Sequence, residues 1–249
     1  MKKFLHISLS LLLIFSMSSC NKWLDVNVDP DNPTDLSATP EVRLPWIQHY
    51  YSYALGVANM RASTINGLLT QTSATNSNGL LAAWNPAQAA ATTIYQNWFL
   101  GAAVNIKPMM DRAEETGAYH YIAAGYAMRA LGFFLMLDIY GEMPYTEAMG
   151  AKYNPAYDQG DVIYAGCMAD LDKAIEYFQK TQEAGAVPLS NGDTWNNGDV
   201  SKWLKLCYGV KARYLNMVSK KSDYSPQAVI DALANAPTSN SHNTIMKRY

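Results

Sequence analysis

Ala118 to Tyr145 reads AYHYIAAGYAMRALGFFLMLDIYGEMPY. Tyr119, Ile122, Tyr126, Ala130, Phe133, Phe134 and Leu137 recur at steps of three and four residues, the period of one helix face. The run therefore predicts an apolar helix over residues 118–140, with the aromatic stripe as core. Ala123, Ala124, Gly125, Ala127 and Gly132 let a neighbouring helix come close. Gly141 stops the helix and Pro144 forbids its resumption.

Working outward, the same reading yields more helices. Pro45 opens one over 45–69, proline being acceptable in a first turn. A second spans 87–115, with an interruption at Pro108. Residues 162–181 form the next, capped by Asp161 and lined by Tyr164, Met168, Leu171, Ile175 and Phe178. Residues 200–220 follow, with Trp203, Leu204, Cys207, Val210 and Leu215 inward. Ser225-Pro226 starts a short last helix that ends by Pro237. Polar stretches at 70–86 and 183–199 separate these elements. No strong strand pattern occurs. The expected class is all-α: tetratricopeptide-like helix pairs in an α-solenoid with long loops.

The first residues have another purpose. Lys2 and Lys3 precede an apolar run, LHISLSLLLIFSM, and then Ser18-Ser19-Cys20. A basic start, a short apolar core and small residues before a cut make an export signal. Cys20 stands where that cut would fall and resembles a lipobox cysteine, which takes a diacylglycerol; Met17 occupies the position where leucine is commoner. Residues 1–19 are expected to be the signal, 20–45 an anchored extended tether, and 46–249 the helical domain. Asp29-Pro30-Asp31-Asn32-Pro33 invites a calcium-loop reading. Counted from Asp29, that loop needs glycine where Thr34 stands and glutamate where Pro40 stands, so a turn-rich leader is the better reading.

Composition narrows the function classes. Loss of Lys2 and Lys3 takes 19 basic residues to 17 against 21 acidic, a net charge of −4. That disfavours nucleic acid, whose binders present a basic face. Seventeen Tyr and six Trp are many for this length; such side chains serve cores, interfaces and saccharide surfaces alike. Cys167 and Cys207 both fall on predicted helices. Two buried thiols are favoured over a disulfide, and their separation is not legible. No metal or cofactor motif is present.

Four stretches together resemble the SusD/RagB family of outer-membrane nutrient-binding lipoproteins. They are residues 20–34, starting Cys20-Asn-Lys-Trp23-Leu-Asp25; residues 121–145, with Arg129 and a Tyr-Gly-x-x-Pro-Tyr ending; residues 161–178, DVIYAGCMADLDKAIEYF; and residues 203–218, WLKLCYGVKARYLNMV, with Arg213. The ordered set after a lipobox is what carries the resemblance. It implies a non-catalytic, lipid-anchored, surface-exposed protein of the outer membrane. The implied ligand is a glycan or, in some members, a peptide, delivered to a SusC-like TonB-dependent transporter. Members usually run to about twice this length, in keeping with a second half packed on the repeats, so this sequence is expected to be incomplete at its C-terminal side.

A surface glycoside hydrolase needs two carboxylates about 5 to 10 Å apart. Asp138 and Glu142 flank the Gly141 turn, but a turn and cap role suits them better. A helical-repeat scaffold of the envelope shares the fold and differs only in lacking a ligand. A glycan site needs an exposed aromatic beside amides or carboxylates. Asn76, Asn78, Trp84 and Asn85 supply this in one loop, the region from which similar family members recruit an aromatic. Asp193, Trp195, Asn196 and Asn197 supply it in a second. The competing reading, a tryptophan packed beneath its own loop, weighs more on Trp195. Arg129 and Arg213 are expected to be held by carboxylates or helix-end carbonyls, as structural groups.

Overall fold

The computed structural model describes residues 38–70, 76–87 and 89–246. The signal, Cys20 and most of the expected tether lie outside the described residues. The helices are α1 (Pro40–Ile65), α2 (Ser77–Ala82), α3 (Ala89–Gln96), α4 (Ile106–Glu115), α5 (Tyr119–Tyr140), α6 (Gly160–Phe178), α7 (Val200–Met217) and α8 (Pro226–Leu233). Among the described residues there is no strand, only an isolated antiparallel bridge between Met143 and Asp158. The all-helical expectation stands.

Consecutive helices run antiparallel. His120 meets Phe178, Arg129 meets Asp170 and Phe134 meets Tyr164, so α6 descends as α5 ascends. Tyr164–Tyr214, Asp172–Lys211 and Phe178–Trp203 set α7 against α6 in the same way. Arg43–Asn105, Tyr51–Trp98 and Arg61–Ala90 do so for α1 and the segment after α2.

The centre is α5. Tyr121, Ile122, Met128, Phe133, Phe134 and Met136 are all buried, on more than one face. The single apolar stripe read from the sequence is therefore too narrow. A helix that is apolar all round belongs inside a core, and here partners cover it on several sides. Its length and hydropathy alone would also suit a membrane span; α1, α4 and α6 surround it instead. Gly132 makes one of these contacts possible, because a Cβ there would sit 1.9 Å from the Trp98 ring.

Two boundaries correct the sequence reading. First, α1 begins at Pro40, so residues 40–45 are helix and not tether. Pro40 takes the first-turn position, and Pro45 lies inside the helix. Pro45 has no N–H for the Glu41 carbonyl. Gly192 packs against that carbonyl, where a Cβ would lie 2.6 Å from the oxygen. Second, the break expected at Pro108 falls upstream. The chain widens into a π turn over Asn97–Ala102 and tightens into a 3₁₀ turn over Ala103–Asn105 before α4 starts. Pro108 cannot bond the Val104 carbonyl four residues back, so the irregularity sits on its N-terminal side.

Local stops behave as their chemistry requires. Gly141 follows α5 at φ 72°. The Asp199 carboxylate accepts from Lys202 N at 3.2 Å and the Ser225 hydroxyl from Ala228 N at 3.3 Å, each capping its helix. Asp161 lies in the first turn of α6 rather than at the cap, which is Gln159.

Candidate functional site

The connection from α1 to α3 presents one large aromatic to solvent. Asn76 caps α2, its Oδ1 accepting from Gly79 N at 2.8 Å. At the other end Asn85 N donates to Leu80 O at 2.9 Å and Trp84 N to Leu81 O at 3.1 Å. These are the two bonds of a Schellman closure, whose special residue takes the left-handed conformation and is usually glycine. Here that residue is Trp84, at φ 57°. A bulky side chain there is strained by roughly 1 to 2 kcal/mol. The indole gains no burial in return, being 80% exposed.

The four residues expected in this loop therefore separate. Trp84 and Asn85 face solvent side by side. Asn76 is engaged as a cap. Asn78 is half-buried, its Nδ2 lying 3.5 Å from Met60 Sδ and its Oδ1 buried without a protein partner. An indole plane next to a free amide can stack on the C–H face of a sugar and bond its hydroxyls.

The second loop is built inward. Asp193 is 4% exposed, and its carboxylate accepts five N–H groups. Oδ1 takes Gln48 Nε2 at 2.8 Å, Trp195 N at 3.0 Å and Asn196 N at 3.2 Å. Oδ2 takes Gly198 N at 2.9 Å and Trp203 Nε1 at 2.8 Å. Gln48 is fully buried, and its Oε1 accepts from Thr194 N at 2.9 Å. Trp195 stacks on Trp203, centroids 5.7 Å apart, and tilts against Tyr51. Asp193 and Trp195 thus hold the loop to α1 and α7, correcting their expected place on a ligand surface. A carboxylate that satisfies five amide and indole donors has little left for a ligand. Asn196 is buried as well, while Asn197 takes φ 54° at the turn.

A cleft lies beside Arg129. Its volume is about 320 Å³, with Lys107, Arg129, Phe133, Tyr145, Thr146 and Met149 among the lining residues. Arg129 forms a fork-to-fork pair with Asp170, Nε to Oδ2 at 2.6 Å and Nη2 to Oδ1. Tyr145 OH donates to Asp170 Oδ2 at 3.4 Å, and burial followed by the Asp170 charge pushes its phenol well above the usual range. The expectation of a carboxylate partner is met for Arg129. Arg213 differs, with a side chain 69% exposed and Nη2 3.9 Å from Asp138. Asp138 chiefly serves Tyr214, whose OH donates to it at 2.7 Å.

Cys167 and Cys207 are buried free thiols. Burial raises both, Cys207 to about 12. No cluster of His, Cys, Asp and Glu suited to a metal occurs among the described residues.

Comparison with known proteins agrees with this architecture. A family model, SusD-like, described as starch-binding and associating with outer membrane, matches residues 43–248. A SusD/RagB family protein of Bacteroides thetaiotaomicron superposes with TM-score 0.71 at 22% identity, covering 84% of this chain and 45% of that one. A SusD-like protein of Bacteroidetes AC2a gives 0.67 at 18% identity, over 87% and 40% of the two chains. A chitin-binding protein gives 0.61 at 22% identity, over 83% and 45%. The chain thus spans less than half the length of each of these three solved proteins. Among curated proteins nothing matches.

Proposed function

The chain belongs to the SusD-like family, and on that premise we propose that it is a non-catalytic glycan-binding lipoprotein of the outer membrane. It is anchored through Cys20, faces the cell exterior and hands its ligand to a SusC-like TonB-dependent transporter. The lipobox-like Ser18-Ser19-Cys20 supports the anchor. The family's description supports a glycan over a peptide. The observation that carries the reading is Trp84, a strained and 80% exposed indole with the Asn85 amide beside it. Strain kept without burial is a reason to look for function.

The indole face stacks on a sugar ring and Asn85 bonds its hydroxyls, while Asn76 and Asn78 shape the loop from beneath. Calorimetry with starch and chitin oligosaccharides on the wild type and on Trp84→Ala tests this. The variant should bind about 5- to 150-fold more weakly, the effect of losing an aromatic contact of roughly 1 to 3 kcal/mol, with unfolding unchanged. Equal affinity in a folded variant removes this loop from the site.

A further inference from the structure

The cleft beside Arg129 plays no part in that reading, yet three irregular features meet in it. The helical run before α4 loosens into a π turn and a 3₁₀ turn, and the residues directly after the π turn, Ala103, Ile106 and Lys107, form one wall. Insertions of this kind recur at functional sites. The α5–α6 connection supplies Tyr145, Thr146 and Met149 opposite. Met149 takes a left-handed conformation, φ 55°, and stays 42% exposed. Between the walls stands Arg129 from α5.

The charged side chains among its lining residues are Arg129 and Lys107. Arg129 gives Nε and Nη2 to Asp170, leaving Nη1 with no protein partner, and the side chain is 36% exposed. The Lys107 side chain is 80% exposed and pairs with Asp111 on its own helix at 2.6 Å, an exposed contact of little strength. The carboxylate behind Arg129 is only 3% exposed and already takes both Arg129 and Tyr145. Thr146 turns its hydroxyl to Asp158 at 3.0 Å. The volume of about 320 Å³ lies at the small end of ligand pockets, which run from roughly 300 to 1,000 Å³, and suits one sugar ring.

We infer that this cleft is a second saccharide subsite, selective for a ring bearing a carboxylate, such as a hexuronic acid. Arg129 Nη1 and the Lys107 ammonium meet the carboxylate, and the Met149 thioether lies against the ring. The inference rests on the saccharide-binding reading above but not on Trp84.

The probes are a galacturonate dimer, the matched neutral galactose dimer and an acidic dipeptide, titrated into the chain by calorimetry. The galacturonate dimer should bind, and Lys107→Gln should weaken it about fivefold, the scale of one partly screened charged contact, with the melting temperature unchanged. Arg129→Lys, which keeps the charge but loses Nη1, should weaken it further. Galacturonate affinity indifferent to Lys107→Gln overturns the subsite. So does a neutral dimer or a dipeptide that binds with the same dependence on Lys107. Neutral glycans that bind through Trp84 while galacturonate fails to bind overturn the subsite alone. Failure of every saccharide overturns both readings.

Discussion

Arg129 and Asp170 close a two-pronged ion pair across α5 and α6, and the carboxylate end is the buried one, 3% exposed against 36% for the arginine. Removing one partner strands the other. Arg129→Leu should lower unfolding free energy by about 2 to 4 kcal/mol, below the fully buried limit because the arginine is partly solvated. Replacing both, Arg129→Leu with Asp170→Leu, should recover most of that loss, since an apolar pair of similar volume is often neutral. Urea titration of the three variants checks this. A double variant as unstable as the sum of the singles would show that the pair does not act as a unit.

Asp193 is a joint between three parts of the chain. Asp193→Ala leaves the Trp203 indole N–H and the Gln48 amide without acceptors inside the core. Each stranded donor costs about 1 to 3 kcal/mol. The variant should lose about 3 kcal/mol or more, and Trp203 fluorescence should shift to the red as water enters. Asp193→Asn, which keeps one acceptor oxygen, should fall between. A stability equal to wild type would mean the loop is held by packing alone.

What could be read from the sequence follows from how far each cause lies along the chain. The end of α5 and the start of α8 depend on Gly141 and Ser225, each local to the helix it stops or caps, and these were legible. The start of α1 was not, because the prolines through Pro40 read as breakers and Pro45 as the first turn. The contact that meets the carbonyl Pro45 leaves free comes from Gly192, remote in sequence. The inward aim of Asp193 was hidden for the same reason, since Gln48 stands 145 residues away. In the first loop the composition was legible, but its division was not. Whether an asparagine caps a turn, faces a methionine or stays free depends on the α2 turn that joins Asn76 to Asn85.

His120 makes the fold sensitive to mild acid. Its Nε2 faces the Lys180 carbonyl at 3.2 Å. Burial lowers its pKa below 6.5, against a smaller opposing effect of that hydrogen bond. As pH falls below 6.5 the unfolded chain takes up the proton first. It then binds more protons than the folded chain, so stability falls through the window down to the folded pKa. Glu147 and Asp158 have depressed carboxyls, held by Lys152 and by the Thr146 amide in turn, so their losses come in stronger acid. The melting temperature of the wild type should drop between pH 7 and pH 5.5 more than that of His120→Gln. Parallel profiles would remove His120 as the cause.

Trp84 offers the sharpest separation of stability from binding. Its backbone stands at φ 57° in a closure that favours glycine. Alanine is strained there much as tryptophan is, because the clash involves the Cβ atom. Glycine removes the clash but gives the unfolded chain more freedom, which takes back part of the gain. Trp84→Gly should therefore be more stable than Trp84→Ala by about 1 kcal/mol. The indole is largely solvated, so its own loss removes little packing. Both variants should lose oligosaccharide affinity to the same extent, since both lack the ring. The expected outcome is a protein that unfolds at higher temperature and binds less well, the pattern of a site kept under strain for function. Thermal unfolding and calorimetry on the two variants, made side by side, decide it. If Trp84→Gly unfolds no later than Trp84→Ala, the left-handed turn carries no strain, and the case for Trp84 rests on its exposure alone.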